Sequence, residues 1–303
     1  MLVNPWSVFS EITSHYPKLA TEQVPVAVGF EHNLSSRRFD SISYLYSFSD
    51  LFSVLDNNLP HPNSPGLSPL EHAAHLFLLD KSVLPMMLNL SVDKFWIEID
   101  NFKASSRLQL YFQLPLVKFN DLRPCLVTTT FDDLNSRLFS SQISYLGFVF
   151  SGKERIGYKV LATGNSGLLD STSVVRIDLA RLAMSTLSNP LFQVGFALSE
   201  DQILGESIEI DALKDSRFSS CDKWCQLFEA ESFSQVGISL SSAEIGRTFG
   251  IQQWSSYNLL SGINHLKFGH NFITNELVIK LYSGILFTEC SATRNYMVLL
   301  NEI

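Results

Sequence analysis

The sequence predicts an α/β fold in which a ten-stranded antiparallel β-barrel is surrounded by α-helices. Three observations predict it. Five segments each hold two alternating apolar–polar runs around a polar turn, the mark of a β-hairpin. Helical patterns lie between these segments. The second strand of four of the hairpins has one wholly apolar face and one polar face. Ten strands exceed what an open twisted sheet usually holds, and closure removes the exposed edges. The helices would then cover the apolar outside, and the polar faces would line a lumen.

The hairpins are "VPVAVGFEHNLSSRRFDSISYLYSF", "FWIEIDNFKASSRLQLYFQL", "ISYLGFVFSGKERIGYKVLA", "FQVGFALSEDQILGESIEIDA" and "INHLKFGHNFITNELVIKLYSGI". They recur every ~50 to 70 residues, as a repeated supersecondary unit does. In the first, Val26, Val28 and Phe30 alternate with Ala27, Gly29 and Glu31, so a carboxylate follows two of the smallest residues on one face. In the second, Leu108, Leu110 and Phe112 oppose Arg107, Gln109, Tyr111 and Gln113. In the third, Ile156, Tyr158 and Val160 oppose Arg155, Gly157 and Lys159. In the fourth, Ile208 and Ile210 oppose Ser207, Glu209 and Asp211. In the fifth, Leu277, Ile279 and Leu281 oppose Glu276, Val278, Lys280 and Tyr282. Each polar face, taken by itself, also suits a solvated sheet. A closed lumen rich in Arg, Lys and Tyr is instead an anion site.

Helices are expected in "SFSDLFSVLDN", "SPLEHAAHLFLLDKSVL", "TFDDLNSRLFSSQI", "STSVVRIDLARLAMSTLSN", "SCDKWCQLFEAES" and "SSAEIGRTFGIQQWSSYNLL", several opening on Ser, Thr or Asp at cap positions. "NNLPHPNSPGLSP" reads as a surface loop. No composition shift divides the chain, so residues 1–303 are expected to form a single domain.

Composition narrows the function. Charged residues make up 17% and hydrophobic residues 46%, which suits a globular chain and not a disordered one. The 23 Phe residues must be hidden in a core or around an apolar ligand. A net charge of −8 disfavours nucleic acid as a partner. The apolar stretch "HAAHLFLLDKSVLPMMLNL" is broken by Asp80, Lys81 and Pro85, so no membrane span is expected. "MLVNPWSVFSEI" lacks a basic segment followed by a long apolar run, so no signal peptide is expected, and four cysteines make no disulfide framework. A cytoplasmic monomer is the expectation.

Taken together, the five hairpins and their strand faces resemble the ABBA-type aromatic prenyltransferases over nearly the whole chain. "FEHN" is similar to the family's Glu followed two residues later by Asn, which places Glu31 in the Glu position. Arg38 in "RRFDSIS" is similarly placed to a family Arg that begins the second strand. Asp100 and "LQLYF" resemble the second hairpin's Asp and apolar-Tyr-Phe, with Gln109 where the family often has Lys. The third hairpin resembles an Arg-x-Lys-x-Tyr strand in which Arg155 matches, Gly157 takes the Lys position and Lys159 the Tyr position. Glu209 and Asp211 depart from the family's amide or cation and Tyr. More loosely, the chain is similar to cyanobacterial members that decorate indole alkaloids of the hapalindole and ambiguine type.

The resemblance implies transfer of a dimethylallyl or geranyl group from its diphosphate to an indole-containing small molecule in secondary metabolism. It implies Glu31 as base or N–H anchor. Arg38, Gln109, Arg155, Lys159 and Lys280 become diphosphate ligands, and Tyr111 and Tyr282 shields for the allylic cation. The chemistry suits these residue types. Arg and Lys stabilise the charge gathering on the leaving diphosphate. Aromatic faces stabilise an allylic cation kept from water. Ala27 and Gly29 leave room for a flat ring whose N–H meets Glu31. No cofactor is required, although Glu209 and Asp211 keep Mg²⁺ open. A non-catalytic barrel that carries an amphipathic ligand is the alternative.

Other signals point elsewhere and are weaker. "FDDLNSR" has Ser136 where the aspartate-rich diphosphate motif has Asp, so Asp132 and Asp133 read as an acidic first helical turn. Cys221 with Cys225, and His72 with His75, lack a second pair at zinc spacing. "TGNSGLL" is not a nucleophile elbow.

Overall fold

The computed structural model describes residues 27–33, 38–57, 59–62, 64, 67–79, 83–92, 94–100, 107–173, 177–185, 191–211, 261–290 and 295–299. Among them, eleven strands form one antiparallel sheet. They are β1 (Ala27–Asn33), β2 (Arg38–Ser47), β3 (Lys94–Asp100), β4 (Arg107–Lys118), β5 (Gln142–Ser151), β6 (Glu154–Thr163), β7 (Leu191–Leu198), β8 (Ile203–Asp211), β9 (Ser261–Asn271), β10 (Glu276–Cys290) and β11 (Asn295–Leu299). Strands neighbour one another in chain order, and β1 pairs with β10 as well as with β2. The five predicted hairpins are β1–β2, β3–β4, β5–β6, β7–β8 and β9–β10. The eleventh strand, not foreseen, pairs with β10 beyond Leu286.

Six α-helices accompany the sheet among the described residues: α1 (Phe48–Asp56), α2 (Pro69–Leu79), α3 (Val83–Asn89), α4 (Phe131–Arg137), α5 (Ser166–Asp170) and α6 (Ile177–Ser185). Two start on reciprocal caps. Ser47 Oγ accepts from Asp50 N while Asp50 accepts from Ser47 N, and Ser68 and Glu71 repeat the exchange at α2. The helix expected over "SPLEHAAHLFLLDKSVL" is two: α2 ends at Leu79 and α3 starts at Val83. Pro85 then falls in a first turn, where its missing N–H has no partner to lose. The helix expected over "TFDDLNSRLFSSQI" stops at Arg137, and Gln142 already belongs to β5. The helices expected over residues 220–232 and 241–260, with Cys221 and Cys225, lie outside the described residues. No helix among the described residues is long and apolar enough to cross a membrane.

The core lies between the apolar face of the sheet and the helices. Tyr46, Phe95, Ile97, Leu110, Phe112, Phe148 and Phe196 are buried there with Phe48, Leu51, Leu70, Ala73, Ala74 and Phe77 from α1 and α2. The rings of Phe95 and Phe112 stack at 6.0 Å, and Phe77 meets them edge-on at 5.7 and 5.8 Å. Each such pair adds roughly 0.5–1.5 kcal/mol to the burial of its apolar area. Much of the Phe content is therefore spent under the helices. A buried charge on the sheet side also lies in this layer. Glu206 on β8 accepts from Arg137 of α4 at 2.8 Å and from the Ser173 N–H at 2.7 Å, which satisfies both of its oxygens.

Candidate functional site

With the apolar face packed under helices, alternation turns every second residue to the other face. That face is polar and its residues interlock. Cross-strand neighbours share a face, so ladder register shows which side chains meet. Glu98 on β3 is opposite Gln109 on β4, and the Gln109 Nε2 donates to Glu98 Oε1 at 2.9 Å. Tyr111, two residues on, donates its hydroxyl to Gln109 Oε1 at 2.8 Å. Tyr111 is opposite Gly147 on β5, which in turn is opposite Lys159 on β6. The Lys159 Nζ donates to the Tyr111 hydroxyl at 2.6 Å and lies 5.3 Å from the ring centre.

Gly147 makes that contact possible. A Cβ there would sit 2.9 Å from Tyr111 Cδ1 and 3.2 Å from Lys159 Cβ, closer than side chains pack. Tyr111 thus reaches Lys159 across a strand that offers no side chain between them.

A second group spans β1, β10, β9 and β8. Glu31 is opposite Tyr282, Lys280 is opposite Lys267, and Lys267 is opposite Glu209. Glu31, 3% exposed, accepts from Lys280 through Oε1 and from Tyr282 through Oε2. Lys267 Nζ stands 2.7 Å from Glu209 Oε1, which also accepts from Ser207 at 3.3 Å. The row reads carboxylate, lysine, lysine, carboxylate.

Electrostatics ties the two groups together. Burial alone would raise the Glu31 carboxyl, but the charges of Lys280 and Lys267 and the bonds from Lys280 and Tyr282 outweigh it and hold the group at about 2. Burial pushes the Tyr282 hydroxyl well up, and Glu31, Glu98 and Glu209 push it further. Those carboxylates stand on β1, β3 and β8, and of the three Glu31 is the one that Tyr282 is seen to bond. Burial lowers Lys267, but Glu209 and Glu31 reverse this and keep it charged.

Of the residues singled out by sequence, Glu31, Gln109, Tyr111, Lys159, Lys280 and Tyr282 stand together on this face. Arg155 does not. A bulge between Val149 and Phe150 sets Arg155 opposite Phe150, and its guanidinium lies 5.7 Å from the Phe148 ring centre and 5.1 Å from that of Tyr158, both on the apolar face. One extra residue reverses the alternation, so the even spacing of Arg155 and Lys159 misleads. The same bulge leaves Ile156, expected to be buried, 36% exposed. Arg38 opens β2 opposite Asn33, and Asp211 closes β8 opposite His265; their side chains lie outside the description. The room foreseen beside Gly29 is partly taken, since a Cβ there would meet Ser43 Oγ at 2.4 Å.

Glu98 and Lys267 escape a reading of second strands alone, because both lie on the first strand of their hairpins. Their signal is the same alternation: Trp96, Glu98 and Asp100 in one, His265, Lys267 and Gly269 in the other. Among the described residues no cluster of three or more His, Cys, Asp or Glu is arranged to hold a metal. Glu209, the carboxylate kept open for Mg²⁺, faces a lysine. His75, on α2, bonds the Pro60 carbonyl at 2.8 Å.

This architecture is found in solved dimethylallyltryptophan synthases. A structure titled 6-dimethylallyl tryptophan synthase superposes with a TM-score of 0.55 at 11% identity, covering 95% of this chain and 86% of that one. The 5-dimethylallyl tryptophan synthase from Streptomyces coelicolor, solved in complex with DMASPP and Trp, gives 0.50 at 10% identity, covering 89% and 82%. At such identities the likeness is one of fold. No protein-family profile and no curated protein sequence matches the chain.

Proposed function

We propose that the protein is an aromatic prenyltransferase that moves a dimethylallyl or geranyl group from its diphosphate to an indole-containing small molecule. The observation that carries this reading is the polar face. Three lysines, two tyrosines and three carboxylates from β1, β3, β4, β6, β8, β9 and β10 join there in hydrogen-bonded groups behind a helix-covered apolar layer. In this reading β1 to β10 close as a barrel through the β1–β10 pairing, and the polar face lines the lumen. A solved structure of like fold, titled as a dimethylallyl tryptophan synthase with DMASPP and Trp bound, supports the choice of donor and acceptor class.

Lys159, Lys267 and Lys280 take the diphosphate, with Gln109 and Arg38 as further ligands in this reading. The allylic C1–O bond breaks and its electron pair leaves on the diphosphate, whose charge the lysines balance. The cation faces the rings of Tyr111 and Tyr282. An indole carbon gives its π electrons to C1, forming the new C–C bond. Glu31 anchors the ring N–H. Once Lys280 has turned to the diphosphate, Glu31 accepts the proton that the ring carbon loses. The acceptor panel includes hapalindole-type alkaloids, which the sequence resemblance suggests.

The test is acceptor-dependent release of diphosphate. Purified protein with dimethylallyl or geranyl diphosphate releases diphosphate only when an indole is added. Binding of both compounds without release would support the carrier instead.

A further inference from the structure

Lys267 and Lys280 are directly opposed on neighbouring strands, and like charges so placed repel. Each is held by a carboxylate on its far side, Lys280 by Glu31 and Lys267 by Glu209. Glu209 has no part in the transfer described above. It is nonetheless built into the site. Its side chain is 13% exposed, Ser207 donates to the oxygen that meets Lys267, and Gly195 leaves room for that Ser207 hydroxyl, since a Cβ there would lie 2.4 Å from its Oγ.

We infer that Glu209 is an internal counterion that competes with the diphosphate for Lys267 and so drives release of the diphosphate product. The inference rests on the lysine pair being the diphosphate site. A diphosphate set between the lysines satisfies both, which leaves Glu209 a carboxylate in a confined site without its cation. Removing one partner of such a pair is costly. That cost weakens the hold on donor and product alike. The donor has its prenyl chain buried against aromatic surface as well, whereas the product has lost it. The same penalty is therefore a larger share of what holds the diphosphate left after C–O cleavage, which has no prenyl contacts to offset it, and Lys267 returns to Glu209 as it departs. Glu209 is a positioning residue in this scheme, acting through Lys267.

The experiment measures inorganic pyrophosphate binding to the full chain by calorimetry, alongside steady-state kinetics. Glu209→Gln is expected to bind pyrophosphate about tenfold more tightly than the wild type. Its kcat falls and its donor KM falls with it, and the first turnover appears as a burst of product. Glu209→Asp keeps the charge but draws it back from Lys267, and is expected to bind pyrophosphate severalfold more tightly; it serves if Gln prevents folding. Adding Lys267→Met to Glu209→Gln is expected to abolish the gain. A merely structural Glu209 would give weaker or unchanged binding in both variants, and that overturns the inference while leaving a Lys267-dependent pyrophosphate site intact. Wild-type protein that binds no pyrophosphate overturns this inference and the diphosphate site together.

Discussion

Glu31 and Lys280 form a buried ion pair that joins β1 to β10, the two strands whose pairing brings the sheet back to its first strand. The carboxylate is held on its other oxygen by Tyr282, so it has a donor on each side. Removing one partner leaves a buried charge. Lys280→Met is therefore expected to cost about 3–5 kcal/mol, and Glu31→Gln with Lys280→Met together less than the sum of the single changes. Urea denaturation of the four proteins in the cycle measures this.

The same pair predicts a pH dependence. Glu31 titrates at about 2 in the folded chain against an ordinary value of 4.5. Its folded value is depressed, so the contribution to stability is complete above pH 4.5 and is lost as pH falls toward 2. The loss is on the order of 3 kcal/mol. Glu31→Gln should flatten the stability profile between those limits, as acid unfolding followed by circular dichroism would show.

Arg155 and Lys159 separate cleanly. Lys159 meets Tyr111 on the polar face, and Arg155 lies over Phe148 and Tyr158 on the apolar one. Lys159→Met is expected to raise the donor KM about tenfold or more, the loss of a charge-assisted contact to phosphate. Arg155→Met is expected to leave that KM unchanged and to cost about 1 kcal/mol of stability through its lost cation–π contacts. Equal effects of both changes on KM would place Arg155 back at the diphosphate.

That contrast shows what the sequence reveals and what it conceals. Period-2 alternation places Glu31, Gln109, Tyr111, Lys280 and Tyr282 on one face correctly, because those strands run without an extra residue up to each site. It fails at Arg155, where a bulge adds one residue and nothing in "SGKERIGYK" announces it. It also cannot tell which polar residues bond. The Glu31–Lys280 contact spans 249 positions of sequence, and only ladder register brings its ends together. Glu98 and Lys267 were legible in the same alternation, on the first strands of their hairpins. The splitting of α2 from α3 shows a further limit, since Pro85 marks a break but not where the next helix begins.

Gly147 is expected to tolerate no side chain. In Gly147→Ala the new Cβ presses on the Tyr111 ring and on Lys159 Cβ. Moving them costs about 1–3 kcal/mol. It also separates the Lys159 Nζ from the Tyr111 hydroxyl, so kcat falls more than stability alone explains. Tyr111→Phe keeps the ring and removes the hydroxyl. Comparing kcat for Phe and Leu at position 111 separates the ring from the hydroxyl. Leu is expected to lose a further factor of about 2 to 30, the worth of a cation–π contact.

The central claim is prenyl transfer to an indole on the polar face. Mass spectrometry of the purified protein incubated with dimethylallyl or geranyl diphosphate and a panel of indoles tests it most directly. The account predicts an acceptor carrying one prenyl group in place of one ring hydrogen, formed by the wild type and greatly reduced in Glu31→Gln. No prenylated acceptor and no diphosphate released, with folded protein and every acceptor in the panel, would contradict it.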